Sequence, residues 1–262
     1  MYTPKFRTKG NGVPILSKKE INSHAEEFVR DFQEDALYNV QPFNIEAFLE
    51  FYLGMIPDFQ YLSHNGIYLG MTVFNDTDTV PVYDPVTNRA EYIHADANTV
   101  IIDRRLIEDE KQEHRLRFTQ AHEGGHGIYH TKCFYRDPNQ LSFLEPDTSP
   151  MIQCRTDFGN EQRRNSNSKN WTDAEWMEWQ ANATSSALLM PRPAIRKLFE
   201  TNGRTGSRCS QIVKTINDIV KECNVSGEAA VYRLRDINLL QDHEVSNYLH
   251  GSPLLDFGDT LI

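Results

Sequence analysis

Two histidines and a glutamate stand within five residues of one another near the middle of the chain. They are His122, Glu123 and His126, in the stretch FTQAHEGGHGIYH at residues 118–130. In a helix, positions four apart lie about 40° apart around the axis and about 6 Å along it. His122 and His126 then point the same way and could hold a metal ion. Glu123 is rotated off that face, where a carboxylate can act on a water molecule beside the metal without being a ligand.

Three glycines interrupt the same stretch, at Gly124, Gly125 and Gly127. Each costs about 1 kcal/mol relative to alanine in a helix interior. A solvated helix has no reason to carry them, whereas a helix that something approaches closely does. Two things could approach these glycines: a substrate bound at a metal site, or the backbone of another helix.

A catalytic zinc ion usually has three protein ligands, so a third must be found. His130 is close in sequence, but in a continuous helix it lies about 12 Å along the axis from His122. A supporting or substrate-facing role suits His130 better than ligation.

The stretch NWTDAEWMEWQANATSSALLMPRP, residues 170–193, offers the better candidate. Thr172 and Glu175 have the spacing of a capping box and predict a helix start. Glu178 and Asn182 then share one face of that helix. A carboxylate flanked by large apolar residues needs a partner, which could be a metal or an ordinary salt bridge. Glu175 is the rival ligand, although capping occupies its carboxylate.

Taken together, the two stretches resemble the ImmA/IrrE family of bacterial metallo-endopeptidases, and the resemblance covers roughly residues 40–240. It implies that His122, His126 and Glu178 bind one zinc ion per chain and that Glu123 is the general base. The residues that carry it are Arg117-Phe118-Thr119, the H-E-x-G-H core, His130, Glu178-x-x-Ala181-Asn182 and Leu188 to Pro191.

The activity implied is zinc-dependent hydrolysis of peptide bonds, with Glu123 moving the proton of the attacking water. Tyr129, His130 and Tyr135 are candidates to stabilise the oxyanion, and the sequence does not choose among them. Asn182 is expected to orient Glu178 or another ligand from outside the metal shell.

The same resemblance suggests a regulatory protease whose protein substrate is a DNA-binding transcriptional repressor. The alternative is a non-catalytic binding module on a zincin scaffold that sequesters a partner regulator in the manner of an antitoxin. An intact Glu123 favours the enzyme, because binding alone needs no general base.

Alternating and β-branched segments predict a small antiparallel sheet that leads into the H-E-x-x-H helix, expected over residues 107–129. This is an α+β, zincin-like arrangement. We expect a metallopeptidase domain at 1–192, with 131–170 as a long loop that is either a lid over the site or a partly disordered insertion. A C-terminal helical, helix-turn-helix-like region is expected at 193–262. The predicted strands are GIYLGMTVF, TVPVYD, RAEYIHA and NTVIID.

Composition limits the remaining possibilities. A net charge of −10 over 262 residues argues against direct nucleic-acid binding. No apolar run has the length of a signal peptide or a membrane span, so a cytoplasmic protein without a membrane partner is expected. Four cysteines without a C-x-x-C pair predict reduced thiols, although Cys133 and Cys154 could bind something together.

Overall fold

The computed structural model describes residues 1–134, 151–155, 171–204 and 206–249, with the side chains of 153–155 left out. It is a mixed helix-and-sheet fold, compatible with the predicted α+β class. The strands are β1 Arg7–Thr8, β2 Pro14–Ile15, β3 Ile56–Gln60, β4 Tyr68–Val73, β5 Thr77–Asp84, β6 Arg89–Ala95, β7 Thr99–Asp103 and β8 Met151–Arg155. The α-helices are α1 Lys18–Gln33, α2 Ile45–Ala47, α3 Arg105–Glu108, α4 Glu113–Tyr129, α5 Thr131–Phe134, α6 Asp173–Leu189, α7 Arg192–Asn202, α8 Arg208–Cys223, α9 Gly227–Asp236 and α10 Asp242–Val245.

The main sheet has four strands in the order β3-β7-β4-β8. β3 runs parallel to β7, whereas the other two pairings are antiparallel. The pairing of the predicted strands β4 and β7 is antiparallel as expected, but the sheet as a whole is mixed, because β3 joins it in parallel. Sequence reasoning missed β3 because it contains Pro57 and Asp58, which strands disfavour, and an edge position tolerates such a proline. The strands β5 and β6 form a separate hairpin rather than part of this sheet.

The segment 131–170, predicted as one long loop, contains regular structure. Residues 131–134 form α5, and residues 151–155 form β8, which pairs with β4 at the edge of the sheet. The loop prediction is wrong for these two pieces. The remainder of the candidate lid lies outside the described residues.

The helix expected over 107–129 is divided into α3, a short 3₁₀ turn at 110–112, and α4. The division lies at Asp109, whose backbone is extended and whose carboxylate accepts a hydrogen bond from the Lys111 N–H. A carboxylate that caps a new helix start in this way interrupts the preceding helix. The H-E-x-x-H residues all lie on α4 as predicted.

Helix α6 begins with the predicted capping box, in which Thr172 and Glu175 each accept from the other's backbone N–H. It crosses α4 at Gly125. A Cβ atom on Gly125 would lie 3.0 Å from Ala181 Cα and 3.2 Å from its carbonyl oxygen. The close backbone approach inferred from the glycines is thus real at Gly125, and it brings the two helices together at the site.

The largest apolar core includes residues from both sides of position 192. Its members include Phe28, Val100, Ile195, Ile216 and Leu234. Asn224, which has a left-handed backbone, follows the last residue of α8, and Ser226 caps α9. The division into domains at 192 and the helix-turn-helix likeness stay predictions. In the described part of the chain, no helix combines the length and apolarity needed to cross a membrane.

Candidate active site

The packing of α4 against α6 brings three candidate ligands together. His122 Nε2 and His126 Nε2 are 3.0 Å apart. Glu178 Oε2 lies 3.2 Å from His122 Nε2, and Glu178 Oε1 lies 3.5 Å from His126 Nε2. One ligand atom from each residue lies within 4.8 Å of the other two.

All three side chains are buried, with exposures of 1% for His122, 0% for His126 and 6% for Glu178. Glu178 Oε2 accepts no hydrogen bond from any described residue. A buried carboxylate and imidazole lone pairs that face one another repel each other, and this arrangement costs free energy unless a cation lies between them. Two imidazoles and one carboxylate are also a known donor set for zinc. The group therefore fits a metal ion.

Glu123 lies beside this group and faces strand β4. Thr72 Oγ1 donates to Glu123 Oε2 at 2.5 Å, whereas Oε1 has no hydrogen-bond partner among the described residues. A Cβ atom on Gly70 would collide with Glu123 Oε1, so this strand must carry glycine there for the carboxylate to fit. Burial raises the pKa of Glu123 to about 7, opposed by His122 and by the Thr72 hydrogen bond. A carboxyl group with a pKa in this range suits proton transfer near neutral pH.

Asn182 contacts a candidate ligand from outside the metal-binding group, as the sequence suggested. Its Oδ1 lies 3.1 Å from His122 Nδ1, and because an amide oxygen only accepts, His122 donates from that nitrogen. The Nε2 lone pair of neutral His122 is then directed towards His126 and Glu178. Of the two partners considered for Asn182, the structure places it on a histidine rather than on Glu178.

His130 is fully buried at the end of α4. Its Nδ1 lies 2.8 Å from His126 Nδ1, and its Nε2 lies 2.9 Å from Gln180 Oε1. Desolvation lowers the pKa of His130 to about 4, so the ring is neutral at pH 7. Both ring nitrogens of His130 thus have hydrogen-bond partners, one of them the candidate ligand His126, and its roles as a support or an oxyanion donor stay predictions.

Tyr129 and Tyr135 are the other two residues predicted as oxyanion donors. The Tyr129 hydroxyl lies 3.0 Å from His24 Nδ1, and its ring packs edge-on against Phe6. Burial raises the pKa of Tyr129. An oxyanion role for Tyr129 stays a prediction. Tyr135 lies outside the described residues.

Sequence reasoning missed three contributors to the site. Thr72 and Gly70 come from β4, some fifty positions before Glu123, and no local pattern connects them to it. Gln180 lies two residues after Glu178, among apolar residues. A buried glutamine on a ligand-bearing helix is a signal that could have been used, because its amide must find partners.

Comparison with known protein families gives a match over part of the chain. Residues 158–235 match a peptidase family described as the IrrE N-terminal-like domain. The matched stretch contains Glu178, Asn182 and helices α7 to α9, whereas His122 to His126 lie before it. A search of curated proteins found no significant match.

A mixed helix-and-sheet fold, a buried His-His-Glu group and this match together support a metallopeptidase-like domain. The match supports the resemblance to the ImmA/IrrE family that the two sequence stretches carried. A peptidase family implies a protein substrate.

Proposed function

We propose that this protein is a zinc-dependent endopeptidase that cleaves a protein substrate. The observation that carries the proposal is the position of Glu123 directly beside the buried His122, His126 and Glu178 group. Glu123 is a buried carboxylate, and one of its oxygens has no hydrogen-bond partner among the described residues. A module that only bound a partner would have no use for a desolvated carboxylate there, because burying it costs free energy.

In this proposal His122, His126 and Glu178 hold one zinc ion. When bound, zinc polarises the scissile carbonyl and lowers the pKa of a water molecule to about 7. Glu123 takes the proton of the attacking water and passes it to the leaving amine. Thr72 fixes one carboxylate oxygen through its hydroxyl, so that the other is directed towards the substrate.

The proposed substrate is a transcriptional repressor, which would make the chain a regulatory protease. The resemblance to the ImmA/IrrE family supports this choice. The proposal includes no direct contact with nucleic acid, since the chain carries a net charge of −10.

The test is substrate capture in the native host with Glu123→Gln. This substitution keeps size and polarity but cannot accept the proton, so the variant should retain an intact protein that the wild type converts to fragments. Glu178→Ala serves as the matched control without a complete ligand set. A captured partner that zinc-loaded wild-type protein never cleaves would contradict the peptidase and support the binding module.

A further inference from the structure

A line of hydrogen bonds runs from the candidate metal-binding group to the N-terminal hairpin. His126 Nδ1 lies 2.8 Å from His130 Nδ1, and His130 Nε2 lies 2.9 Å from Gln180 Oε1. Gln180 Nε2 then donates to the backbone carbonyl of Pro14 at 2.9 Å. All three side chains are at most 1% exposed, so bulk water does not replace these contacts.

The last bond fixes the direction of the others. A backbone carbonyl only accepts, so Gln180 must present its NH₂ group to Pro14 and its oxygen to His130. That oxygen also only accepts, so neutral His130 carries its proton on Nε2 and offers the lone pair of Nδ1. His126 must then donate from Nδ1. Its remaining lone pair is on Nε2, the atom that faces His122 and Glu178.

We propose that His130 and Gln180 are positioning residues that hold His126 in the tautomer able to bind a metal, with the Pro14 carbonyl as the fixed end of the chain. This inference rests on the proposed function, because it takes His126 as a ligand through Nε2. It also makes the N-terminal hairpin of β1 and β2 part of the site's construction.

The competing tautomer explains why such a device is needed. If His126 carried its proton on Nε2, that proton could bond to Glu178 Oε1, 3.5 Å away, and the metal position would be lost. The chain from Pro14 opposes this state, because His126 Nδ1 and His130 Nδ1 would then face each other as two lone pairs at 2.8 Å, where no cation can lie between them. The lone pairs of His122 Nε2 and His126 Nε2 also face each other, at 3.0 Å, but these are the atoms that a metal ion would bind. Histidine ligands commonly depend on a partner for their second nitrogen.

The first test reads the tautomers directly, in wild-type protein without metal. Side-chain ¹⁵N chemical shifts distinguish a protonated ring nitrogen from one with a lone pair. We expect the proton of His126 on Nδ1 and that of His130 on Nε2. A His126 ring protonated on Nε2 overturns the proposal, and this readout does not depend on any variant folding.

The second test uses two substitutions of similar size. The amide oxygen of His130→Asn can occupy the place of His130 Nδ1 and accept from His126, whereas His130→Leu offers no acceptor. We expect His130→Leu to weaken zinc binding by about 10- to 100-fold and His130→Asn to recover most of it, measured by competition with a chelating dye. Equal affinities in the two variants, whether retained or lost, would refute the proposal.

His24→Leu is the matched control, because it removes another buried histidine that bonds to α4, through Tyr129. It should leave zinc affinity unchanged, and a loss equal to that of His130→Leu would point to general damage to the helix instead. Wild-type protein that binds no zinc would contradict the proposed function. The ¹⁵N chemical shifts would still show which tautomer His126 adopts.

Discussion

The interface between α4 and α6 and the packing of the C-terminal helices use burial in opposite ways. At the first, six neighbouring buried side chains are polar or ionisable: His122, Glu123, His126, His130, Glu178 and Gln180. In α8, by contrast, the buried positions are mainly aliphatic, among them Ile212, Ile216 and Ile219. Burying apolar surface stabilises a fold, whereas burying polar groups costs free energy unless each is paired. The polar interface between α4 and α6 thus contributes less to stability than an apolar interface would, but it provides the groups of the candidate active site.

Two arginines link these regions. Arg117, on α4, donates to the carbonyl of Asn224 at the end of α8. Arg233, on α9, is fully buried and donates to the carbonyl of Met190 at the end of α6. The C-terminal helices therefore hold both ligand-bearing helices in place. The burial of Arg233 also means that it cannot serve as a contact to DNA phosphates.

Glu123→Gln should have the largest effect, and it tests whether the polar interface contributes to activity rather than to stability. Loss of the general base should lower turnover by about 10²- to 10⁴-fold. The free energy of unfolding of the metal-free protein should not fall, because a buried carboxylate becomes a neutral amide, and one carboxylate oxygen accepts no hydrogen bond from the residues that the structure describes. Cleavage assays and urea denaturation test the two halves of this prediction. Destabilisation by more than about 1 kcal/mol would contradict the view that the site is built at the expense of stability.

The converse prediction concerns Ile216, which is fully buried in α8. Ile216→Ala should lower the free energy of unfolding by about 2–5 kcal/mol through lost burial and the cavity it leaves. Zinc affinity of the folded protein should stay at the wild-type value. Lys214→Ala, at an exposed position of the same helix, is the control and should change stability by less than about 0.5 kcal/mol. A large drop in zinc affinity in Ile216→Ala would show that the two regions are not separable.

Gly70→Ala tests the fit of the general base rather than its chemistry. The added Cβ would collide with Glu123 Oε1 and approach Thr119 Cγ2 at 2.8 Å. Displacement of the carboxylate by about 1 Å should lower turnover by up to about 10²-fold while zinc stays bound. Gly10→Ala is the control, since no described atom lies within 4 Å of a Cβ there. Unchanged turnover in Gly70→Ala would mean that Glu123 does not act from this position.

The smallest effect is expected from a surface ion pair of the C-terminal region. The hydrogen-bonded pair with Arg208, followed by the backbone N–H of Gln241, lowers the pKa of Glu244 to about 2 from 4.5. A lowered pKa means that this stabilisation is present above about pH 4.5 and is lost as the pH falls towards 2. Because Arg208 is half exposed, solvent screening limits the gain to about 0.2–1 kcal/mol. Wild type and Glu244→Gln should differ by that amount at pH 7, and the difference should shrink as the pH falls from 4.5 towards 2 in urea denaturation. A difference that grows on acidification would show the opposite sign.

Local signals in the sequence predicted the parts of the molecule that local rules control. The Thr172–Glu175 capping box is confirmed, because a cap depends on residues only three positions apart. Helical spacing likewise placed His122 and His126 on one face.

The missed features depend on distant parts of the chain. The parallel pairing of β3 with β7 joins segments about forty residues apart. In addition, Pro57 gives β3 a low strand propensity, so propensity rules do not identify it as a strand. The contacts of Thr72 with Glu123 and of Gln180 with Pro14 exist only after folding. Spacing rules relate only residues close together in the sequence. They can therefore indicate the candidate metal ligands but not the distant residues that contact and position them.

The central claim is that His122, His126 and Glu178 hold one metal ion, and metal content tests it most directly. Wild type, Glu178→Ala and Glu175→Ala should be dialysed together against a weak chelator and analysed for zinc per chain. Glu175 is the control because it lies on the same helix, three residues away, with its carboxylate committed to the helix cap. The account predicts about one zinc in wild type and in Glu175→Ala, and loss of zinc in Glu178→Ala exceeding the roughly 10- to 100-fold change caused by losing an outer partner. Full zinc retention by Glu178→Ala would contradict it.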